Sequence, residues 1–465
     1  MSREKELLKN TFILGIGYAV PAFVSFLVLP LYTAFLTKAE YGTYDLITIL
    51  LSLMMPTITL QIKSSVFRFL IESRDNEEER KYHISTAYLF TTILSILSLI
   101  LLLIILPGTP IFTKLLICIY IFQEVIIDLS KQTARGLGSL NKYIVSITIN
   151  SLLLLIFSYI LLSNMKKGLN GVLIALNCAL IVSNIYIFIT LDLKKYISYQ
   201  YFSKSYLKKM LSFSAPMVPN SISLWVVRLS DRLVVTIFMG LEADAVYAIA
   251  NRIPGLLSQV MTVFNLSWQE SASLAVNDND ATEYYSEITQ QTIDFLIGSA
   301  ALLIALIPFF FKILIKGSYD EAYSQIPILI CGVFFSCLSS CYGSIYIALK
   351  ETKYIGITSV IGAVLNLTIN MMFINKLGLF AASLSTLISY CVIFFARVIQ
   401  LKKYILICLN WRKNFISFGI LLFICVIYYF RSSYGNIFIL ALACGLFLIL
   451  NKEICKKFIL KCLNR

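Results

Sequence analysis

The sequence predicts an all-α polytopic membrane protein of about fourteen transmembrane helices, arranged as two six-helix lobes related by an internal repeat plus two C-terminal helices. Three observations carry this. Apolar segments long enough to cross a bilayer recur from end to end; Lys and Arg are divided unequally between alternate connections; and short matched segments recur at a nearly constant offset.

The chain has 465 residues, of which 58% are hydrophobic and 14% charged, with a mean hydropathy of +0.82. A span needs roughly 20 mainly apolar residues. The segments that satisfy this are 12–36, 42–70, 85–106, 112–133, 143–163, 170–191, 210–239, 245–269, 288–314, 321–349, 354–375, 378–400, 414–430 and 434–450, the last two being the shortest. The longest connections, 72–84, 192–209 and 271–287, are polar loops. The first apolar run is too long for a signal-peptide core and lacks a small-residue cleavage pattern, so it reads as a retained span.

The net charge is +14. In a soluble chain this would point to nucleic acid; here topology accounts for it, because cytoplasmic loops are enriched in Lys and Arg. With both termini cytoplasmic, twenty-five of the cations fall inside, eight outside and six within spans. The loop 271–287 is an inner connection without Lys or Arg. Eleven cysteines, no CxxC pair and a single histidine, His83, exclude a zinc or haem site. No cofactor is expected, and no phosphate-binding GxxxxGK[ST] loop is present to run an ATP engine.

Phe35–Tyr44 (FLTKAEYGTY) aligns without a gap on Phe238–Tyr247 (FMGLEADAVY). Lys142-Tyr143-Ile144 matches Lys353-Tyr354-Ile355, and Gly168-Leu169 matches Gly378-Leu379. Common order and offset favour duplication. The organisation that follows is an N-terminal lobe at 1–191, a basic, Tyr-rich cytoplasmic linker at 192–209, a C-terminal lobe at 210–400, and two extra helices with a basic tail at 401–465. Prolines fall at corresponding places: Pro21 and Pro30 in the first span and Pro56 in the second; Pro216 and Pro219 in the seventh and Pro254 in the eighth. They are the expected helix breaks, and interrupted segments in equivalent positions of two halves point to a cargo site.

Five cations sit in or at the ends of these apolar segments: Lys63, Arg68, Arg228, Arg232 and Arg252. A charge near a bilayer centre costs roughly 2.5–3.5 kcal/mol on insertion scales, so such residues face a protein interior and mark a pathway. Fixed positive charge there predicts an anionic cargo, and Arg guanidinium groups suit phosphate oxygens. Trp225, Arg228 and Arg232 share one helix face; Asp231 is spaced to pair with Arg228, so a structural ion pair competes with the binding role. Glu72 is spaced to pair with Arg68, whereas Lys63 needs a partner from another helix or from cargo. Spans 1, 2, 7 and 8 are the expected cavity walls, with Gln61 and Asn251 among their polar positions and a net positive charge. Glu124, Asp128, Asp231 and Asp294 are the candidate ion-coupling acids; Glu124 and Asp128 read equally as an ion-paired helix end with Lys131 and Arg135.

The stretches LKNTFILGIGYAVPAFVSFLVLPLYTAFLTKAEYGTYDL and SDRLVVTIFMGLEADAVYAIANRIP resemble the multidrug/oligosaccharidyl-lipid/polysaccharide (MOP) exporter superfamily, and within it the Wzx-type flippases of O-antigen and capsule repeat units. The resemblance implies a multi-pass protein of the bacterial cytoplasmic membrane. It would carry an undecaprenyl-pyrophosphate-linked oligosaccharide outward by alternating access, its cavity cations holding the pyrophosphate. Tyr32, Tyr44, Trp225, Tyr247 and Trp268, with Gln61 and Asn251, would contact sugar. The implied partners are the lipid-linked glycan, membrane lipid, H+ or Na+ as coupling ion, and polymerase or glycosyltransferases of the same pathway. A lipid II flippase for peptidoglycan is the alternative, ahead of a cation-coupled multidrug exporter. A glycan polymerase would want a large outer loop, and a scaffold gives no reason for the buried cations.

Overall fold

The computed structural model describes residues 20–21, 23–73, 75–105, 110–276, 278–349, 351–452 and 456. Residues 12–19 of the first predicted span lie outside them. The regular structure of the described residues is all helical, and the chain divides into two compact units, Met1–Leu229 and Ser230–Arg465.

The first unit opens with α1 (Phe23–Phe35). It continues through α2 (Lys38–Ile58), α3 (Ile62–Glu72), α4 (Glu77–Ile105), α5 (Ile111–Gly136), α6 (Leu140–Tyr159) with a π turn at Ile160–Asn164, and α7 (Gly168–Thr190). Two short helices follow, α8 (Leu193–Tyr196) and α9 (Lys204–Ser214), and then α10 (Met217–Met239), which runs across the boundary between the units. Helix α2 starts where it does because Thr37 and Glu40 form a reciprocal capping box. Glu40 also accepts from the Leu169 amide at the start of α7, 3.0 Å away. Helix α5 packs on α3, α4 and α7, and polar side chains fasten it: Gln123 donates to Asn177 at 2.8 Å, and the Tyr88 and Ser130 hydroxyls lie 2.7 Å apart.

The second unit comprises the rest of α10, then α11 (Leu241–Ala275), α12 (Ala281–Leu314), α13 (Asp320–Ala348), α14 (Thr352–Leu377), α15 (Leu379–Leu401), α16 (Trp411–Tyr429) and α17 (Ser433–Leu450). Helix α13 is its core, packed on α11 and α15, while α16 and α17 pack on α12. Arg397 of α15 is buried and donates to the Ser339 carbonyl of α13 at 2.6 Å and to Thr358 and Ser359 of α14. Its partners among the described residues are neutral, so this intramembrane cation acts as a structural staple between α13, α14 and α15.

Among the described residues, nine helices are long and apolar enough to cross a membrane, or ten if α2 and α3 form one bent span. Ile93, Leu97 and Ile100 of α4 are more than half exposed at one-turn spacing, as a lipid-facing stripe requires. The protein is a multi-pass, all-helical membrane protein.

Several expectations change. The second span is two helices, not one, bent by 54°. Helix α4 begins at Glu77 rather than 85, because Glu77, Glu78 and Glu79 stabilise its positive N-terminus. The predicted loop 271–287 is largely helical, since α11 runs to Ala275 and α12 starts at Ala281. Pro30 and Pro254 lie inside continuous helices, Pro21 lies within the described helical start, and Pro216 and Pro219 lie beside and inside the first turn of α10. A first turn has no amide bond to lose, so proline is accommodated there. Of these six, Pro56 adjoins the break between α2 and α3, and Pro216 lies in the break between α9 and α10. The linker 192–209 is folded: Ser85 and Thr86 of α4 bond its backbone at Tyr196, Ser198, Tyr201 and Ser203.

Candidate functional site

The break in the second span organises the polar interior of the first unit. Helix α2 ends at Ile58, and Leu60 and Gln61 adopt left-handed backbone angles, φ +47° and +56°. Neither is glycine, so each costs about 1–2 kcal/mol and persists only because its surroundings hold it. Gln61 Nε2 donates to Ser221 Oγ of α10 at 2.8 Å. The Trp225 indole N–H, one turn further along α10, donates to Ser52 Oγ at 2.9 Å and to the Ile49 carbonyl at 3.2 Å. Pro56 has no N–H for the Ser52 carbonyl one turn earlier, so α2 is weakened where it approaches this cluster.

A cavity of about 430 Å3 opens beside the break. Its lining includes Gln61, Lys63, Tyr120, Glu124, Asp128 and Ser221. Lys63, in the first turn of α3, places its Nζ 2.5 Å from Asp128 Oδ2 of α5; their side chains are 30% and 26% exposed. Lys63 therefore takes its partner from another helix. Asp128 in turn is paired with Lys63 and not with Lys131. Among the described residues, one cation against two carboxylates makes this lining acidic, and both acids come from α5 rather than from the helices expected to wall the cargo path. Arg68 pairs with Glu72 at 2.9 Å, and both side chains are about half exposed, so that pair belongs to the surface.

The second unit holds its own polar cluster. Asp231 is buried and accepts from the Tyr247 hydroxyl at 2.6 Å, Thr386 Oγ1 of α15 at 3.1 Å and the Arg232 amide at 3.0 Å. Asn366 Nδ2 of α14 donates to Thr386 Oγ1 at 3.2 Å, while Asn366 Oδ1 and both amide atoms of Asn370 are buried without hydrogen-bond partners. Such atoms are costly unless something satisfies them. Arg232 and Arg252 are half-buried and each engaged in interactions of its own. Arg228 belongs to α10, and its side chain lies outside the described residues, so its pairing with Asp231 does too.

Other sequence-predicted residues fall elsewhere. Tyr32 is 2% exposed, with its hydroxyl 3.3 Å from Ser158 Oγ and its ring edge-on to Tyr44, which is half-buried. Tyr247 is fully buried against Asp231. Trp268 is 2% exposed; its indole N–H donates to the Cys341 carbonyl at 3.1 Å, and its ring packs on Tyr284 and Tyr285. Buried and hydrogen-bonded inside their units, Tyr32, Tyr247 and Trp268 present no surface to a sugar in this conformation. Asn251 spends its amide on the Tyr247 carbonyl. Asp294 is bonded to Lys413 at 2.7 Å and to Gln290 at 3.1 Å, which fastens α16 to α12. Sequence reading missed Ser52, Tyr120 and Ser221 as lining; the helical spacing of Ser221 to Trp225 was the available signal.

Comparison with known proteins places this arrangement. The fold is similar to that of the lipid II flippase MurJ in an inward closed conformation, at a TM-score of 0.74 and 15% identity over 97% of this chain and 100% of that one. It is similar to a multidrug resistance MATE family transporter of the MOP superfamily, at 0.62 and 14% identity over 83% and 98%. It is also similar to a MOP superfamily transporter from Pyrococcus furiosus, at 0.56 and 15% identity over 85% and 95%. No curated protein matches by sequence. The chain shares the fold of these membrane proteins. Residues 7–268 match the polysaccharide biosynthesis protein family, and this chain belongs to that family.

Proposed function

We propose that this transporter is a flippase that moves an undecaprenyl-pyrophosphate-linked oligosaccharide across the bacterial cytoplasmic membrane by alternating access, for capsule, O-antigen or another surface polysaccharide. The observation that carries the reading is the conjunction of a polysaccharide-biosynthesis family match with a MurJ-like fold over 97% of the chain. In this reading Lys63, Arg228, Arg232 and Arg252 are the candidate ligands of the pyrophosphate, Trp225, Tyr44 and Gln61 offer sugar contacts, and Asp231 is the candidate site for coupling H+ or Na+. Arg68, paired at the surface, ranks below the other cations. Fourteen crossings, two six-span lobes at 1–191 and 210–400 joined through 192–209, and cytoplasmic termini complete it. Support for the duplication comes from two matched glycines: Gly168 and Gly378 both have left-handed φ, +54° and +56°, beside the starts of α7 and α15.

Lipid II is the nearest alternative cargo. A cationic cargo is the second reading, favoured by the acidic lining around Lys63. Complementation of a capsule- or O-antigen-flippase deletion separates them. Rescue by wild type, with loss of surface polysaccharide in well-expressed Lys63→Gln and Arg252→Ala, supports the flippase and its cations. Failure in that strain with rescue of a lipid II flippase deletion shifts the cargo to lipid II. Cation efflux abolished by Asp128→Asn, without either rescue, overturns the reading.

A further inference from the structure

The cavity of the first unit is not charged to receive an anion. Among the described residues, Lys63 is the single cation of its lining, against Glu124 and Asp128 one helical turn apart on α5. The remaining lining groups include Thr48, Ser52, Gln61, Tyr120 and Ser221, all neutral.

The elements packed around this pair add charges of both signs. Helix α5 adds Lys131, two turns beyond Glu124, and Arg135, which lies over the Phe67 and Tyr143 rings. Helix α2 adds Tyr44 and the buried Asp45. Helix α4 adds Tyr88, bonded to Ser130, and α7 adds neutral amides, Asn177 and Asn184, bonded to Gln123. Helix α6 contributes Tyr143, and α3 the self-compensated Arg68–Glu72 pair. Helix α10 carries Arg228 two turns from Ser221, with its side chain outside the described residues. With Arg135 held over its two rings, Lys63, Lys131 and Arg228 counted in full are matched by Asp45, Glu124 and Asp128, so no net positive charge is left over for a diphosphate.

A diphosphate diester brings two negative charges. Charge withdrawn from water is tolerated only when it is paired or neutralised. Lys63 can serve the phosphates only by leaving Asp128, which then stands uncompensated beside Glu124. Two neighbouring carboxylates relieve such repulsion by sharing a proton.

We propose that a lipid diphosphate enters this cavity together with protons: the phosphates take Lys63 from Asp128, and Glu124 and Asp128 receive the protons that neutralise them. This rests on the diphosphate reading above. The balance is simple: Lys63 remains an ammonium, no covalent bond to the cargo changes, and at least one carboxylate oxygen gains a proton from bulk water. Asp128 is then the resident counter-ion of the unloaded site, and the acidic pair makes cargo binding depend on pH.

The test uses the full-length protein in detergent and farnesyl ethyl diphosphate, a diester with no titratable proton near neutrality. Calorimetric titration at pH 7.5 in two buffers of different ionisation enthalpy counts protons taken up per ligand bound. Wild type is expected to take up about one, and its affinity to fall with rising pH by up to ~10-fold per unit, as linkage requires when the bound state holds the extra proton. The Glu124→Gln/Asp128→Asn double variant should bind with no proton uptake and a flat pH profile. Lys63→Gln should lose at least ~10-fold in affinity, the loss of one charge-assisted contact. Wild-type binding without proton uptake overturns the inference and leaves the flippase reading standing, even if the double variant fails to fold. Undiminished binding by Lys63→Gln removes the diphosphate from this cavity. Inorganic pyrophosphate bound as tightly as the diester shows that the site reads phosphate alone and overturns its assignment to a lipid. No binding of the diester, with binding of an organic cation that Asp128→Asn abolishes, overturns both.

Discussion

At the residue scale, the Lys63–Asp128 pair spans two helices while remaining about a quarter to a third exposed. Removing either partner alone leaves the other charge facing a partly desolvated wall. Lys63→Met or Asp128→Leu should each lower stability by about 1–2 kcal/mol, below the range for a fully buried pair because water still reaches this one. The double variant should recover most of the loss, and a double-mutant cycle of unfolding temperatures in detergent checks it; additive losses would mean the contact contributes little. Trp268 is the contrasting case. Its ring fills the interior of the second unit and its N–H occupies the Cys341 carbonyl. Trp268→Ala should cost about 3–5 kcal/mol, and Trp268→Phe nearer 1 kcal/mol, for the lost hydrogen bond. A Trp268→Ala variant as stable as wild type but defective in transport would return this residue to the cargo path.

At the element scale, the break between α2 and α3 is the feature with a conformational cost. Leu60 and Gln61 hold left-handed angles without being glycine. Leu60→Gly should stabilise the protein by up to about 1 kcal/mol, since the strain disappears while the unfolded chain gains freedom. A fall in unfolding temperature for Leu60→Gly would show that its side-chain packing outweighs the strain. Gly168 shows the opposite dependence. Its φ is +54°, and a Cβ built there would lie 2.1 Å from Glu40 Oε1, the group that caps the start of α7. Gly168→Ala should therefore destabilise by about 1–2 kcal/mol or more, and more than Gly378→Ala, where the nearest atom is the flexible end of Met239 at 3.4 Å. Equal losses at the two glycines would show that backbone angle alone sets the cost.

At the scale of the whole molecule, the distribution of basic residues makes a topological prediction. Single cysteines replacing Lys166 and Lys204, introduced where native thiols are unreactive, should react with a membrane-impermeant reagent from opposite sides of the membrane. Lys166→Cys should label in intact cells and Lys204→Cys only after lysis; the reverse pattern would invert the proposed orientation. Lys204 opens α9, part of the segment tied to α4 through Ser85 and Thr86. A reagent that reaches it therefore reports on a folded surface and not on a loose connector.

Sequence alone determined the class of the molecule, the run of helices and the intramembrane charges, because these follow from local quantities. An apolar run either is or is not long enough to span, and a charge within it is visible without knowing its neighbours. The matched segments that flank α1, α2, α10 and α11 were legible for the same reason. Even the pairing of Arg68 with Glu72 could be read, since both lie on one helix at a four-residue interval. Tertiary structure decided what depends on distant parts of the chain. It assigned Lys63 to Asp128, 65 residues away, and Trp268 to a carbonyl 73 residues away. It moved the break from the proline to Leu60 and Gln61, because the left-handed turn is held by a contact with α10 that proline propensity cannot encode. It also buried Tyr32, Tyr247 and Trp268, since an aromatic ring suits a sugar or a protein interior equally well, and only packing distinguishes the two.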